Sequence, residues 1–238
     1  MVMQKNKKYD IVGIGNAIVD LIAEVDDSYL EKNSINKGSM SLVDYDVANR
    51  IGNEVDIVKT ISGGSVANSI VCIAQQNLKT VFIGKVNQDE LGEKFAKGLA
   101  EENVEFKITK SLANKHTARC IILVSPDAER TMNTYLGVSQ ELTEEDVDLN
   151  IIEESSILYL EGYLWDLDNA KKAIKKSIST AINSETKIAF SISDAFCVDR
   201  FREEFIDLVN NSADIIFANE SEIKSLFETN ELNDAIKK

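Results

Sequence analysis

Short apolar runs and helix-patterned stretches alternate along most of this chain, and that alternation restricts the fold more than any single motif. YDIVGIG (9–15), TVFIGKV (80–86), SILYLEGY (156–163), TKIAFSIS (186–193) and the start of DIIFANESEIKSLF (214–227) read as strands. Among them SVANSIVCIAQQN (65–77), DELGEKFAKGLAEEN (89–103), LDNAKKAIKKSISTAI (167–182) and DRFREEFIDLVNN (199–211) carry helical spacing. A β-α-β-α order of this kind predicts an α/β fold with a doubly wound, mostly parallel sheet flanked by helices. Runs such as ILYL and IIF lack polar alternation, as strands covered on both faces do.

Two regions break the rhythm. Residues 21–62 hold the strand-like pieces LIAEVDD, GSMSLVD and DIVKTIS around one helix near 44–54. Residues 117–134 read as a hairpin whose turn is SPDAE, with Pro126 and Asp127 suited to the middle of a type I turn. Both insertions predict a small second β-sheet, a lid over the strand ends where α/β proteins bind ligands. The whole chain, 1–238, then forms one domain with lid segments at about 21–62 and 117–134.

A net charge of −14 excludes a nucleic-acid partner, because a phosphate backbone demands clustered Lys and Arg. No run reaches the roughly 18 apolar residues of a membrane span, so no membrane partner is expected. Cys72, Cys120 and Cys197 form no CxxC pair, which points to a reducing, cytoplasmic setting. His116 is the single histidine. With no GxSxG elbow and no ligand-spaced partner it reads as a surface or lid residue, neither triad base nor metal ligand. The lysines at 171, 172, 175 and 176, and the acidic group Glu101, Glu102, Glu144, Glu145 and Asp146, read as solvated faces.

Three stretches carry chemistry. GIGNAIVD (13–20) lacks the third glycine of a dinucleotide loop, since Ile18 stands there, but Asn16 and Asp20 place an amide and a carboxylate at a strand end. These groups suit sugar hydroxyls, and they equally suit an ordinary turn. SGGSVANSI (62–70) bares its backbone at Gly63 and Gly64 before a helix, with Asn68 in the first turn. No Lys-Ser or Lys-Thr pair follows the glycines, so the loop matches a neutral polyol better than a triphosphate. In FANESEI (217–223), Asn219 and Glu222 stand just past an apolar strand, where they can serve a metal or phosphate region or form an N-cap and capping box.

Taken together, GNAIVD, SGGSVANSI, VFIGKVNQDELG (81–92), ERTMNT (129–134), YLEGYLWD (159–166) and FANESE (217–222) resemble the PfkB, or ribokinase-like, family of sugar and nucleoside kinases. The resemblance runs through almost the whole chain, and KGSMSLVD with EGYLWD is most similar to bacterial adenosine-kinase-like members. It implies a ribokinase-like sheet with a β lid, and an ATP-dependent phosphotransferase acting on a primary hydroxyl of a ribose-containing nucleoside or a sugar. ATP and Mg2+ are the implied cofactors and a small-molecule sugar or nucleoside the implied partner, with a monomer or a lid-mediated homodimer as the assembly.

By the same resemblance Asn16 and Asp20 bind sugar hydroxyls, Gly63, Gly64 and Asn68 complete the pocket floor, and Glu161 contacts substrate. Asn219 and Glu222 match an NxxE motif that organises magnesium and phosphate, with no direct metal ligand. Tyr163, Leu164 and Trp165 form either a wall for a base or core. The family's Asp-Thr-x-Gly-Ala-Gly-Asp run, which supplies the anion hole and the catalytic aspartate, does not occur in the 238 residues. The expectation is the N-terminal part of a kinase domain, C-terminally truncated and inactive alone; the alternative is a non-catalytic nucleoside- or sugar-binding module.

Overall fold

The computed structural model describes residues 7–111 and 115–237. The chain opens with β1 (Tyr9–Ile14) and passes through three residues directly into β2 (Ile18–Glu24). There follow α1 (Asp27–Lys32), β3 (Met40–Leu42), α2 (Tyr45–Glu54) and β4 (Ile57–Gly63). Next come α3 (Ser65–Ala74), β5 (Thr80–Asn87), α4 (Glu90–Glu101), β6 (Glu105–Ser111) and the hairpin of β7 (Ala118–Val124) with β8 (Arg130–Tyr135). The remainder runs α5 (Leu149–Glu153), β9 (Ser155–Glu161), α6 (Asp168–Asn183), β10 (Lys187–Ser191) and α7 (Ala195–Asn211). It closes on β11 (Ile215–Phe217), α8 (Glu220–Leu226) and α9 (Leu232–Lys237).

Six strands form the main sheet in the order β11-β10-β9-β1-β5-β6, every pair parallel. Successive side chains of a strand point to opposite faces, so each apolar strand serves two cores. Val12, Ile14, Leu158, Leu160 and Phe190 join α6 and α7 on one face. Ile11, Phe82 and Tyr159 join α3 and α4 on the other. Leu164 and Trp165 are 2% exposed and belong to the first core, which decides between the two sequence readings of YLW; Tyr163 is half-buried against it.

From β1 the winding proceeds outward through β5 to β6, and from β9 in the opposite sense through β10 to β11. The direction therefore reverses between β1 and β9. In parallel α/β sheets that reversal leaves a crevice at the carboxyl ends of the strands, because the flanking connections diverge there.

The small sheet has the order β3-β8-β7-β2-β4 and is mixed, with β2–β4 and β7–β8 antiparallel and β2–β7 and β3–β8 parallel. Its hairpin turn holds Pro126 and Asp127 at the two central positions, with Ala128 N–H bonded to Ser125 O at 2.8 Å and Ala128 at φ 66°. Ala23, Ile121 and Leu123 pack one face on α1 and α2. The sheet begins at Ile18, earlier than the predicted boundary at 21, and takes Asp20 with it. Asp20 therefore lies inside a strand of the small sheet and not beside Asn16 at a strand end, because β1 continues into β2 with no helix between.

The acidic group read as a solvated face also needs one correction. Asp146 is 8% exposed, and its Oδ2 meets Lys85 Nζ at 2.8 Å while accepting from Thr143 N and Oγ1. Among the described residues no helix is long and apolar enough to cross a membrane.

Candidate functional site

At the β1/β9 reversal, Glu161 ends β9 and Asn16 follows β1. Glu161 is completely buried. Its Oε1 accepts from Asn16 N at 2.8 Å and from Asn16 Nδ2 at 2.9 Å, and its Oε2 accepts from Val66 N at 3.1 Å in the first turn of α3. Burial pushes this carboxyl above the ordinary glutamate range, and the donors of Asn16 and Val66 oppose that rise. Bound in this way, Glu161 orients Asn16.

The orientation has a consequence for the other end of the amide. With Nδ2 committed to Glu161, the Asn16 oxygen faces away from it, is buried and has no hydrogen-bond partner among the described residues. Leaving such an acceptor unpaired costs about 1–3 kcal/mol, which a hydrogen bond from a water or a ligand hydroxyl would offset.

Gly63 and Gly64 stand against Asp20 and Asn16. Gly64 sits at φ 104°, and a Cβ there would run into the Asn16 carbonyl oxygen. A Cβ at Gly63 would run into the Asp20 carboxylate, so the bare backbone is what allows that carboxylate to lie across β4. Asp20 is half-buried, and among the described residues its carboxylate has neither hydrogen bond nor ion pair. Burial alone pushes its pKa up to about 6. The Asp20 carboxylate thus lies against Gly63 and the Asn16 main chain against Gly64, and the two unpaired groups, the carboxylate and the Asn16 amide oxygen, are of the kind that accepts hydrogen bonds from hydroxyls.

Asn68 is not part of this cluster. It stands exposed one turn into α3 and lines a groove of about 470 Å³ with Ser62, Lys94 and Lys97, so the first-turn position predicted for it is correct while its side chain faces outward. Asn219 and Glu222 form a reciprocal capping box at the start of α8: Glu222 N donates to Asn219 Oδ1 at 2.9 Å, and Glu222 accepts from Asn219 N at 3.0 Å and Asn219 Nδ2 at 2.7 Å. Both stand past the carboxyl end of β11, on the same edge of the sheet as Asn16 and Glu161. With both Glu222 oxygens committed to Asn219, the pair is a helix cap first. Among the described residues no cluster of three His, Cys, Asp or Glu side chains could hold a metal ion.

Two contributors escape sequence reasoning. The main-chain N–H of Val66 is invisible in any residue pattern. Ser193, at φ 79°, accepts the Gly162 N–H on its Oγ at 2.8 Å and so braces the turn directly after Glu161. Nothing in SISDA marks a serine for a left-handed backbone, which asparagine and glycine adopt more readily.

Residues 9–238 match the model of the pfkB family carbohydrate kinase. The chain is similar to a probable sugar kinase from Rhizobium etli, 36% identical with a TM-score of 0.88 over 97% of this chain and 70% of that one. It is likewise similar to adenosine kinase from Sinorhizobium meliloti, 41% identical with a TM-score of 0.86 over 96% of this chain and 70% of that one. A 5-dehydro-2-deoxygluconokinase from Listeria monocytogenes is 26% identical over 91% of this chain, which spans 62% of that relative's length. Matched through almost its entire length, the chain belongs to the pfkB family of carbohydrate kinases.

Proposed function

We propose that this chain binds the phosphoryl acceptor of an ATP-dependent kinase, and that the acceptor is a ribose-bearing nucleoside in preference to a free sugar. The observation that carries the reading is the pair of unpaired acceptors, Asn16 Oδ1 and the Asp20 carboxylate, over Gly63 and Gly64 at the sheet's reversal point. Two neighbouring hydroxyls of a ribose ring offer the two donors that such a pair lacks.

The small sheet supports the nucleoside. Asp20, Cys120, Thr134 and Leu42 stand in register across it, and Ile22, Ile122, Met132 and Met40 form the next row on the same face. Leu42 is 61% exposed and Met40 44% exposed. Apolar surface next to a hydroxyl-binding pair suits a ligand with a sugar at one end and a flat apolar base at the other. In this reading the small sheet is a lid, with Asp20 as its polar edge and Ile122 and Met132 as its apolar ceiling.

Chemically, the chain's own residues do the positioning. Glu161 fixes Asn16, Asn16 and Asp20 fix the ring hydroxyls, and the remaining primary hydroxyl is presented along the carboxyl ends of β9, β10 and β11. Bound ATP with magnesium would supply the phosphoryl group; Asn219 and Glu222 stand on that side, and their capping geometry offers magnesium at most an indirect contact through water. The anion-hole run Asp-Thr-x-Gly-Ala-Gly-Asp is not among these residues, so acceptor binding is assigned to this chain and turnover to a protein that also carries that run.

Calorimetry with adenosine, guanosine, ribose and 2′-deoxyadenosine tests the reading. Saturable binding of a nucleoside, weakened in the deoxy analogue and in Asp20→Asn, is the expected result. Absence of binding by all four, or ribose binding as tightly as the nucleosides, would overturn it.

A further inference from the structure

The lid is joined to the main domain at two places. One is the Gly63–Gly64 step beside Asn16; the other is where the chain enters β7 and leaves β8. There Asp89 stands at the N-terminus of α4 and binds the incoming chain. Asp89 Oδ1 accepts from Gly92 N at 2.9 Å, capping α4, and from Thr117 Oγ1 at 2.6 Å. Asp89 Oδ2 accepts from Thr117 N at 2.9 Å. Thr117 Oγ1 accepts from Asn87 N at 2.9 Å, and Lys115 O accepts from Asn87 Nδ2 at 2.6 Å.

The outgoing chain crosses at the same point. Val138 N donates to His116 O at 3.1 Å, and Gly137 stands at φ 48°, where a Cβ would collide with that oxygen. On the lid side the His116 ring stacks on Tyr45 of α2 with centroids 4.1 Å apart, and Tyr45 meets Tyr135 of β8 edge-on at 5.5 Å. Both crossings therefore converge on residues 116 and 117, and the carboxylate that holds them belongs to the main domain.

We propose that Asp89 is a positioning residue: it pins the lid at its second crossing and so sets where Asp20 stands over the Asn16 floor. The path is short. Thr117 immediately precedes Ala118, which pairs with Ile18, and two residues further along the same parallel ladder Cys120 pairs with Asp20. A shift of Thr117 is thus handed to Asp20 through one strand pair with no flexible segment between. Burial raises the Asp89 carboxyl, yet the Thr117 and Gly92 donors outweigh it and hold the group below the ordinary aspartate range, as a charged anchor of this kind requires. The functional consequence rests on the acceptor-site reading given above; the mechanical one does not.

Asp89→Asn separates the pin from the helix cap. Asparagine caps a helix as well as aspartate, and its one oxygen can keep the Gly92 N–H. That oxygen also keeps the Thr117 hydroxyl, while its NH2 group would face the Thr117 N–H, donor against donor, so the main-chain half of the lid tie breaks with the cap intact. The experiment is hydrogen exchange by mass spectrometry on the full chain, with adenosine affinity measured on the same samples. In Asp89→Asn, exchange rises in residues 18–24 and 118–124 and stays unchanged in 93–101, while affinity falls about tenfold, the value of one charge-assisted hydrogen bond. Thr117→Ser, which keeps the hydroxyl, matches the parent, whereas Thr117→Val follows Asp89→Asn in part.

Unchanged exchange in the lid strands would overturn the pin, as would a uniform rise that includes α4, which marks a structural cap and nothing more. If the parent chain binds no adenosine, the acceptor-site reading fails on its own, and the exchange pattern still decides whether Asp89 holds the lid.

Discussion

One carboxylate oxygen of Glu161 receives both N–H groups of Asn16, the main-chain one at 2.8 Å and the amide one at 2.9 Å. Its other oxygen receives Val66 N–H, so a fully buried carboxyl ties β1 and β9 to the start of α3. Glutamine at this position keeps one acceptor and turns its NH2 toward a donor, on whichever side it is placed. Glu161→Gln should lower stability by about 1–3 kcal/mol, read as a shift of the urea midpoint with an unchanged slope. It should also weaken acceptor binding, because Asn16 loses the partner that orients it. A variant as stable as the parent would mean that these three N–H groups do not need the charge.

Asp20 illustrates the opposite relation, a group that destabilises the free chain. Its pKa is raised to about 6 by burial, so between its unfolded value near 3.8 and about 6 the folded state binds more protons than the unfolded state. By linkage, stability falls as pH rises through that window and stays reduced above it. Asp20→Asn should therefore be about 1–3 kcal/mol more stable than the parent at pH 7, with the difference vanishing below pH 4. Thermal melts of both proteins across pH 4 to 8 measure it. Nucleoside affinity of the parent should fall below pH 6 as the acceptor is protonated, and the asparagine variant should lack that dependence.

The alternating strand and helix pattern was legible because each element of the main sheet is long and apolar enough to report its own period, as in ILYL of β9 or the spaced Val66, Ile70 and Ala74 of α3. The hairpin turn was legible for a similar reason, since Pro126 and Asp127 have turn chemistry of their own. The tertiary setting of single polar residues was not. Asp20 and Asn16 are four apart in sequence, yet Asn16 lies in the link after β1 of the main sheet and Asp20 inside β2 of the small one, and nothing in GNAIVD marks that step. Asp146 looked like its neighbours Glu144 and Glu145 until the fold carried Lys85 of β5 to it. Ring stacking of His116 on Tyr45 joins residues 71 apart, beyond the reach of any local pattern.

Gly64 provides a sharper test of the cleft than its neighbours. At φ 104° an L side chain is strained wherever it points, and here its Cβ would also meet the Asn16 carbonyl oxygen, a backbone atom that cannot swing aside. Gly64→Ala should cost more than 2 kcal/mol, through the combined strain and displacement of the Asn16 turn. Acceptor binding should disappear even where enough folded protein remains to measure it. Gly52 is the control, since the nearest atom to a Cβ there is Ile121 Cγ1 at 3.9 Å, and alanine at a helical glycine raises stability by about 0.5–1 kcal/mol.

The Lys85–Asp146 pair makes the last prediction, because burial and pairing pull in opposite directions. The lysine side chain is 12% exposed and the aspartate 4%, and Lys85 Nζ also donates to Glu141 O at 2.9 Å. Burial raises the Asp146 carboxyl, but Lys85 and the Thr143 N–H and hydroxyl outweigh it and set the pKa below the ordinary range. A depressed carboxyl contributes stability that is complete above its unfolded value, near 3.8, and is lost as pH falls through the folded value. Acid unfolding should therefore begin below about pH 4 and be steeper in the parent than in Asp146→Asn. Breaking one partner strands a charge, so Asp146→Asn or Lys85→Met alone should cost about 3–5 kcal/mol at pH 7. Replacing both at once, Lys85→Met with Asp146→Leu, should recover part of that loss, because two apolar side chains leave no unpaired charge behind. A double variant as unstable as the sum of the single ones would show that the two charges are held independently, Lys85 by Glu141 O and Asp146 by Thr143.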